Sequence, residues 1–413
     1  MTSFDCIVIG AGAAGLYCAM HAGRRGRRVL VLEHNDEPGA KILISGGGRC
    51  NFTNVDAGDH TRYISANPHF ARSALTRHTP AHFLALIEKH RIPFYEKTLG
   101  QLFCEGARSS RRILDMLLAE CAAASGTIRT GVRVNGVSHD DCFQVQTSAG
   151  DFDSETLVVA TGGLSIPKLG ASGFAYDIAT QFGLPIVAAR PGLVPLTFSD
   201  ADLAWMRPLS GVSADIITTA DGASFREAAL FTHRGLSGPA ILQASSYLRR
   251  GDALMIDWLP NAPEDVLVER KRARPKAQLK NVMAELLPER LAVVLAQSWT
   301  ASVLAGGNAS ASLKTAGETP AVQAIGDLKD AVLINAVRAL KNFSLTPTGD
   351  EGYAKAEVAV GGVDTNALWQ QTMEARTVNG LFFIGEAVDV TGWLGGYNFQ
   401  WAWSSGWAAG QSC

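Results

Sequence analysis

Long apolar runs, paired cysteines and an excess of either charge are all missing from this 413-residue chain, and each absence removes a class of protein. No apolar stretch reaches the roughly 18 residues of a membrane-crossing helix. Asp5 stands where the basic start of a secretory leader would lie, so no signal peptide is expected. Lys and Arg total 37 against 39 Asp and Glu. That balance demands no polyanionic partner, although a local patch can still supply one. The cysteines Cys6, Cys18, Cys50, Cys104, Cys121, Cys142 and Cys413 are odd in number and scattered, with no C-x-x-C pair. Neither a zinc site nor a dithiol redox pair is signalled. His69, His78, His82 and His90 lack ligand spacing too, which leaves them as surface or packing residues. A cytoplasmic globular protein of two or three domains is expected.

What is present is concentrated in the first forty residues. Phe4 to Ile9 reads as a buried parallel strand, Gly10, Gly12 and Gly15 form a G-x-G-x-x-G turn, and the chain continues as a helix through Ala13, Ala14 and Leu16 to Gly23. A second apolar run, Val29 to Leu32, ends in Glu33. Gly10 makes the tight turn, Gly12 lets backbone approach a pyrophosphate, and Gly15 allows close helix–strand packing. The helix N-terminus offers N–H groups to phosphate, and Glu33 is spaced to accept from ribose hydroxyls. An acid there disfavours a 2′-phosphate, with Arg27 and Arg28 nearby as the opposing signal.

Further along, residues 40–54 read AKILISGGGRCNFTN, in which Gly46 and Gly47 free the backbone for close approach and Lys41 and Arg49 bracket it with charge. Arg49, Cys50 and Asn51 fall where a reactive ring would lie if a pyrophosphate sits at Gly12. Residues 70–124 read as amphipathic helices around a hairpin or loop, EKTLGQLFCEG. Strands return over 130–163, including Val134, and close with Ala160, Thr161, Gly162 and Gly163, a second contact with the same dinucleotide.

After Arg190-Pro191 the pattern changes to short strands, then to helices over 264–345. Domains are therefore expected at 1–190, an inserted module at 191–345, and a closing part at 346–413. Within the module Arg270, Lys271, Arg272, Arg274 and Lys276 make a basic run, read either as a solvated helix face or as a phosphate-contacting patch for RNA. His233 is a candidate proton carrier or a structural loop histidine. The tail restores the first domain with a strand ending in Gly385 and Glu386, with Asp389 beyond. Gly395 and Gly396 then open an apolar helix that includes Asn398 and Phe399, whose N-terminus could stabilise a reduced isoalloxazine. Trp401, Trp403 and Trp407 read as core or as a stacking set. With one strand–G-x-G-x-x-G–helix unit rather than two, the fold suits non-covalent FAD lying across a single domain, NAD(P)H docking transiently as donor.

Taken together, GAGAAG, KILISGGGRCNFTN, LVVATGG, PGLVPL, LFTHRGLSGPAIL, RPKAQLKN, AVGGVDT and GLFFIGEAVDV with GGYNFQWAWSSG resemble the BaiN/YhiN-like (RdsA-like) flavoproteins along nearly the whole chain. The resemblance implies an α/β, Rossmann-like FAD domain of the two-dinucleotide-binding type, interrupted by a mixed β-barrel and helical module. It implies an NAD(P)/FAD-dependent oxidoreductase. Family activities include reduction of bile-acid intermediates and of uridine in ribosomal RNA. FCEG at 103–106, Arg376 and Trp393 depart from the common pattern, mainly on the substrate side.

The leading expectation is an FAD-dependent oxidoreductase that reduces a polarised C=C bond of a small-molecule acceptor. Cys50, Asn51 and His233 are its candidate catalytic residues. The alternatives are a ribosomal RNA dihydrouridine synthase holding RNA through the basic run, a non-catalytic flavin-bearing RNA-binding or assembly protein, and an amine oxidase.

Overall fold

The computed structural model describes residues 2–305 and 324–413, and two compact units divide them: the chain up to Pro191 together with Glu357–Cys413, and Gly192–Ala356. The inserted unit thus runs past the boundary at 345 expected from sequence. The stretch 306–323 of the expected helical region lies outside the described residues.

In the first unit the strands are β1 (Thr2–Ile9), β2 (Val29–Leu32), β3 (Asn51–Asn54), β4 (Tyr63–Ile64), β5 (Phe94–Glu96), β6 (Gln101–Cys104), β7 (Thr127–Arg129), β8 (Val134–His139), β9 (Phe143–Thr147), β10 (Phe152–Val159) and β11 (Ile186–Gly192). β1 is fully buried at Cys6, Ile7 and Val8, as a strand covered on both faces must be. It runs parallel to β2 on one side and to β10 on the other, and β7 extends the sheet beyond β2.

The inserted unit contributes β12 (Leu196–Thr197), β13 (Ser213–Ala220), β14 (Ala223–Thr232), β15 (Gly235–Ser237), β16 (Leu254–Asp257), β17 (Phe343–Leu345) and β18 (Gly349–Asp350). They form one antiparallel sheet in the order β17-β16-β13-β14-β15-β12-β18. β18 pairs with β12, which is why this unit keeps the chain beyond 345. Helices Val266–Ala273, Leu279–Met283, Glu289–Ala305 and Asp330–Lys341 supply its α part.

The closing segment adds β19 (Val358–Val363), β20 (Leu381–Phe383) and β21 (Thr391–Gly392) to the first unit. β10 changes partner along its length: Phe152 to Ser154 pair antiparallel with β9, and Leu157 to Val159 pair parallel with β20. The C-terminal helix, Tyr397–Gly410, then lies on the first helix, Ala13–Arg24. Gly406 and Gly410, four apart and so on one face, allow that contact: a Cβ on Gly406 would fall 2.6 Å from Ala14 O, and one on Gly410 2.8 Å from Cys18 O.

Candidate cofactor and active site

β1, β2, β10 and β20 end on the same edge of the parallel sheet, and the expected turns at Gly10, at Gly162 and at Gly385 follow the ends of β1, β10 and β20. Ligands of open α/β sheets bind outside the carboxyl ends of the strands. Gly10 has φ +107°, and a Cβ there would lie 2.6 Å from Ala160 O; a Cβ on Gly15 would lie 1.9 Å from Gly10 O. Both are close-packing positions. Gly12 differs, because a Cβ on it meets nothing within 4 Å, so its backbone faces open space.

Glu33 is buried, and its first task is structural. Its carboxylate accepts from Ala11 N–H (2.9 Å) and Asn35 N–H (2.9 Å), tying the glycine turn to the end of β2. Oε1 also lies 3.2 Å from His34 Nδ1, whereas Oε2, which accepts from Ala11 N–H alone among the described residues, keeps a second acceptor direction for a hydroxyl. Gly131 and Val132, just ahead of the expected Val134, donate to Asn35 O and Glu33 O and so adjoin this corner. Val134 begins β8 and pairs with Thr147. Arg27 and Arg28 sit at the opposite end of β2 from Glu33, bonded to Glu155 and Asp5. They offer nothing to a 2′-phosphate there.

A second polar node joins three distant segments. Lys41 Nζ donates to Glu386 Oε2 (2.5 Å) and to Ser165 Oγ (2.6 Å), while Glu386 Oε1 accepts from Ser165 Oγ (2.7 Å) and Ala359 N–H (3.0 Å). The C-terminal helix holds this loop from behind: Trp401 Nε1 donates to Gly385 O (2.9 Å) and Gly385 N–H donates to Ser405 Oγ (3.0 Å). Trp401 and Trp403 are therefore core residues, the latter donating to Phe52 O, and Trp407 stacks on His78. Thr161 Oγ1, beside this node in sequence, is buried without a hydrogen-bond partner among the described residues. Asp389 is buried and accepts from Ala66 N–H (2.8 Å); burial, reinforced by Asp364, lifts its carboxyl above the usual range.

The turn before the C-terminal helix forms the third part. Gly395 and Gly396 have φ +105° and +100°. Asn54 Nδ2 donates to Gly395 O (3.0 Å), and Asn398 closes the turn by bonding both N–H and C=O of Gly392. The Asn51 amide satisfies both its ends when Oδ1 accepts from Gly396 N–H (3.2 Å) and Nδ2 donates to Thr53 O and Leu102 O. Gly396 N–H is thus engaged by Asn51. The expectation that both glycine N–H groups face a flavin reduces to Gly395. Phe399 stacks on Trp403 at 5.6 Å.

The three candidate catalytic residues divide between the two units. Cys50 exposes none of its surface, and burial pushes its thiol far above the usual range, so Sγ stays protonated and packs in the core. Asn51 is a brace for β3 and Gly396. His233 belongs to the inserted unit, at the exposed turn between β14 and β15. Gly46 and Gly47 are left-handed and exposed, and a Cβ on Gly46 would strike the Phe103 ring. Arg49 is exposed, donates to Tyr95 OH (3.2 Å) and lies 5.8 Å from the Phe103 ring centre. Sequence reasoning missed Ser165, Ala359 and Asn54. Asn54 and Ala359 had a local signal, the one closing the motif that ends at residue 54 and the other opening AVGGVDT.

In the inserted unit, Arg270 and Arg274 pair with Glu285, and Lys271 pairs with Asp330 and donates to Leu328 O. Three of the five basic residues therefore serve the unit's own surface, and Arg272 and Lys276 are exposed without a described carboxylate partner. No helix among the described residues is long and apolar enough to cross a membrane, and no group of three acidic, His or Cys residues there could hold a metal.

Residues 4–412 match the family described as HI0933-like protein Rossmann domain. The chain belongs to the HI0933-like family. The match bears out the resemblance read from the motifs, and this member is a Rossmann-type oxidoreductase. A relative from Escherichia coli (strain K12), the ribosomal RNA dihydrouridine synthase, is 48% identical over 414 residues, covering 100% of this chain and 98% of its own. A protein of the same name from Haemophilus influenzae is 42% identical, covering 98% and 97%. The 3-dehydro-bile acid delta(4,6)-reductase of Clostridium scindens is 28% identical, covering 98% of each.

Proposed function

We propose that this protein is an FAD-dependent enzyme that reduces the C5=C6 bond of a uridine in ribosomal RNA, with NAD(P)H as electron source. The observation that carries it is the difference in likeness: full-length identity of 48% to a ribosomal RNA dihydrouridine synthase against 28% to a bile-acid reductase. This favours the RNA alternative over the small-molecule reading that led from sequence.

The residues present suit FAD. Gly12 and the first helix N-terminus present open backbone for a pyrophosphate, Glu33 keeps acceptor capacity for ribose hydroxyls, and Thr161 Oγ1 has an unfilled bonding direction. Lys41, Ser165 and Glu386 form a charged wall held by Trp401 and Ser405. Bound FAD would supply two-electron hydride chemistry. Gly395 N–H, at the turn that Asn51 and Asn54 hold rigid, would bind negative charge that develops on reduction. His233, the single histidine between 192 and 356, is the proposed proton carrier. An RNA substrate of this kind implies a cytoplasmic enzyme.

The test is mass spectrometry of ribosomal RNA from cells with and without the gene. The expected result is one uridine that lacks two hydrogens in the deletion strain and regains them when the gene is restored. Identical RNA masses in both strains would remove the proposal and return the search to small-molecule enones.

A further inference from the structure

We propose that Leu99 is an apolar wedge that occupies the stack when a paired uridine is drawn out toward the enzyme, with Lys97 and Arg49 as the flanking phosphate contacts. The proposal rests on the ribosomal RNA reading above, and identifies the part of the surface that handles paired RNA.

Leu99 is the most exposed large hydrophobic side chain among the described residues, at 60%. It is also left-handed, with φ +58° and ψ +33°, a conformation that strains any residue with a Cβ. Folding gains nothing from an exposed leucine there, where glycine or asparagine would sit more easily. Strained positions that persist are held by their surroundings and cluster at functional sites. The turn around Leu99 is firmly held: Lys97 N–H donates to Gln101 O (2.8 Å), Val55 N–H to Gly100 O (2.9 Å), and Asn54 Nδ2 to Leu99 O (2.8 Å).

That Asn54 amide nitrogen also donates to Gly395 O (3.0 Å). One buried side chain therefore fixes the Leu99 tip relative to the turn proposed to face the flavin. Val55, 48% exposed, widens the apolar tip, since a Cβ on Gly100 would lie 2.4 Å from its Cγ2. Around it the chemistry is cationic and aromatic. Lys97 Nζ lies 5.5 Å and the Arg49 guanidinium 5.8 Å from the Phe103 ring centre, and neither cation has a carboxylate partner among the described residues. Tyr95 stacks on Phe103 at 5.9 Å and accepts from Arg49.

A rigid apolar tip with free cations at its foot suits a nucleic acid whose bases are being parted. Side chains such as leucine open base steps, and cations hold the phosphates beside them. The need is chemical, because an enzyme acting on a base cannot reach it inside a paired stack.

The experiment uses the FAD-loaded enzyme with NAD(P)H and two RNAs that share the sequence around one target uridine. In one the uridine is paired in a hairpin stem; in the other the strand is linear and unpaired. Dihydrouridine formation is read by mass spectrometry. Leu99→Gly, which relieves the backbone strain and so should fold with an undiminished melting temperature, is expected to slow the hairpin reaction about tenfold and the linear one less than about twofold. Leu99→Met, which keeps an apolar tip, should restore the hairpin rate. Equal slowing on both RNAs, no slowing on either, failure of the Met variant to rescue, or a wild-type enzyme that reduces only the linear strand would each overturn the wedge and leave RNA reduction standing. A wild-type enzyme that reduces neither RNA would overturn the RNA reading and the wedge with it.

Discussion

Two cation-bearing stretches behave in opposite ways. Residues 270–276 carry five basic side chains, of which three are neutralised by Glu285 and Asp330 within their own unit. Arg49 and Lys97 are only two, separated in sequence, yet both lie over the Phe103 ring with no acid among the described residues to neutralise them. A cation already paired has little left to offer a phosphate, whereas one resting on an aromatic face keeps its charge available. Density of charge along the chain is thus a poor guide to where a polyanion binds. Pairing decides it.

The contrast can be tested from its strongest case downward. Lys41 is the extreme of a partnered cation, held by Glu386 and Ser165. Lys41→Met should leave Glu386 unbalanced and weaken flavin retention by about 2 kcal/mol, roughly thirtyfold, measured by flavin release in a dilution series. Arg49→Ala with Lys97→Ala should lower RNA affinity about tenfold at moderate salt and reduce the slope of log affinity against log salt by about 1.4 for a single strand. An unchanged slope in that double variant would break the comparison outright.

Acid titration probes a third arrangement. Burial alone would raise the Glu120 carboxyl, but hydrogen bonds from Lys89, His90 and Arg24 outweigh it and hold it down to about 2. A carboxyl depressed on folding contributes stability that is complete above its ordinary value near 4.5 and is lost as pH falls from there through about 2. Burial pushes His21 down to about 4 and His78 down to about 3, so the unfolded chain takes up protons below 6.5 that the folded chain refuses. Urea midpoints should therefore fall in two stages, from pH 6.5 downward and again below 4.5; Glu120→Gln should shrink the second stage, to which Asp5, Asp59, Glu285 and Asp330 also contribute because their partners hold them low, and should leave the first in place. Smallest of all, Arg270→Ala with Arg274→Ala should change stability by less than about 0.5 kcal/mol in a thermal melt and leave RNA binding within about twofold. A large loss of RNA affinity there would return the basic run to the interface.

What the chain discloses locally, it discloses well. The turn from Gly10 to Glu33 is legible because strand, glycine spacing, helix and acid are consecutive, and each residue type has one dominant physical reason to be there. The burial of Cys50 was not legible because nothing in a sequence tells which side of a glycine loop faces inward; Cys50 has a left-handed backbone and its thiol lies in the core. Ser165 and Asn54 escaped notice because their meaning lies in Glu386 and Gly395, hundreds of residues away. The ion pairs of the basic run were hidden for the same reason on a smaller scale, its acids being 11 and 59 residues distant.

The change of partner along β10 bears on how the protein is made. Its downstream half is completed by β20, and the first helix is covered by Tyr397–Gly410, both synthesised after the whole inserted unit. A nascent chain that has reached residue 356 can close the inserted antiparallel sheet from local contacts, while the dinucleotide edge still lacks a strand and presents open backbone to pairing with another chain. Assembly therefore runs out of order with the sequence. The part written first is finished last, and the proposed flavin site comes into being only when the tail returns to it.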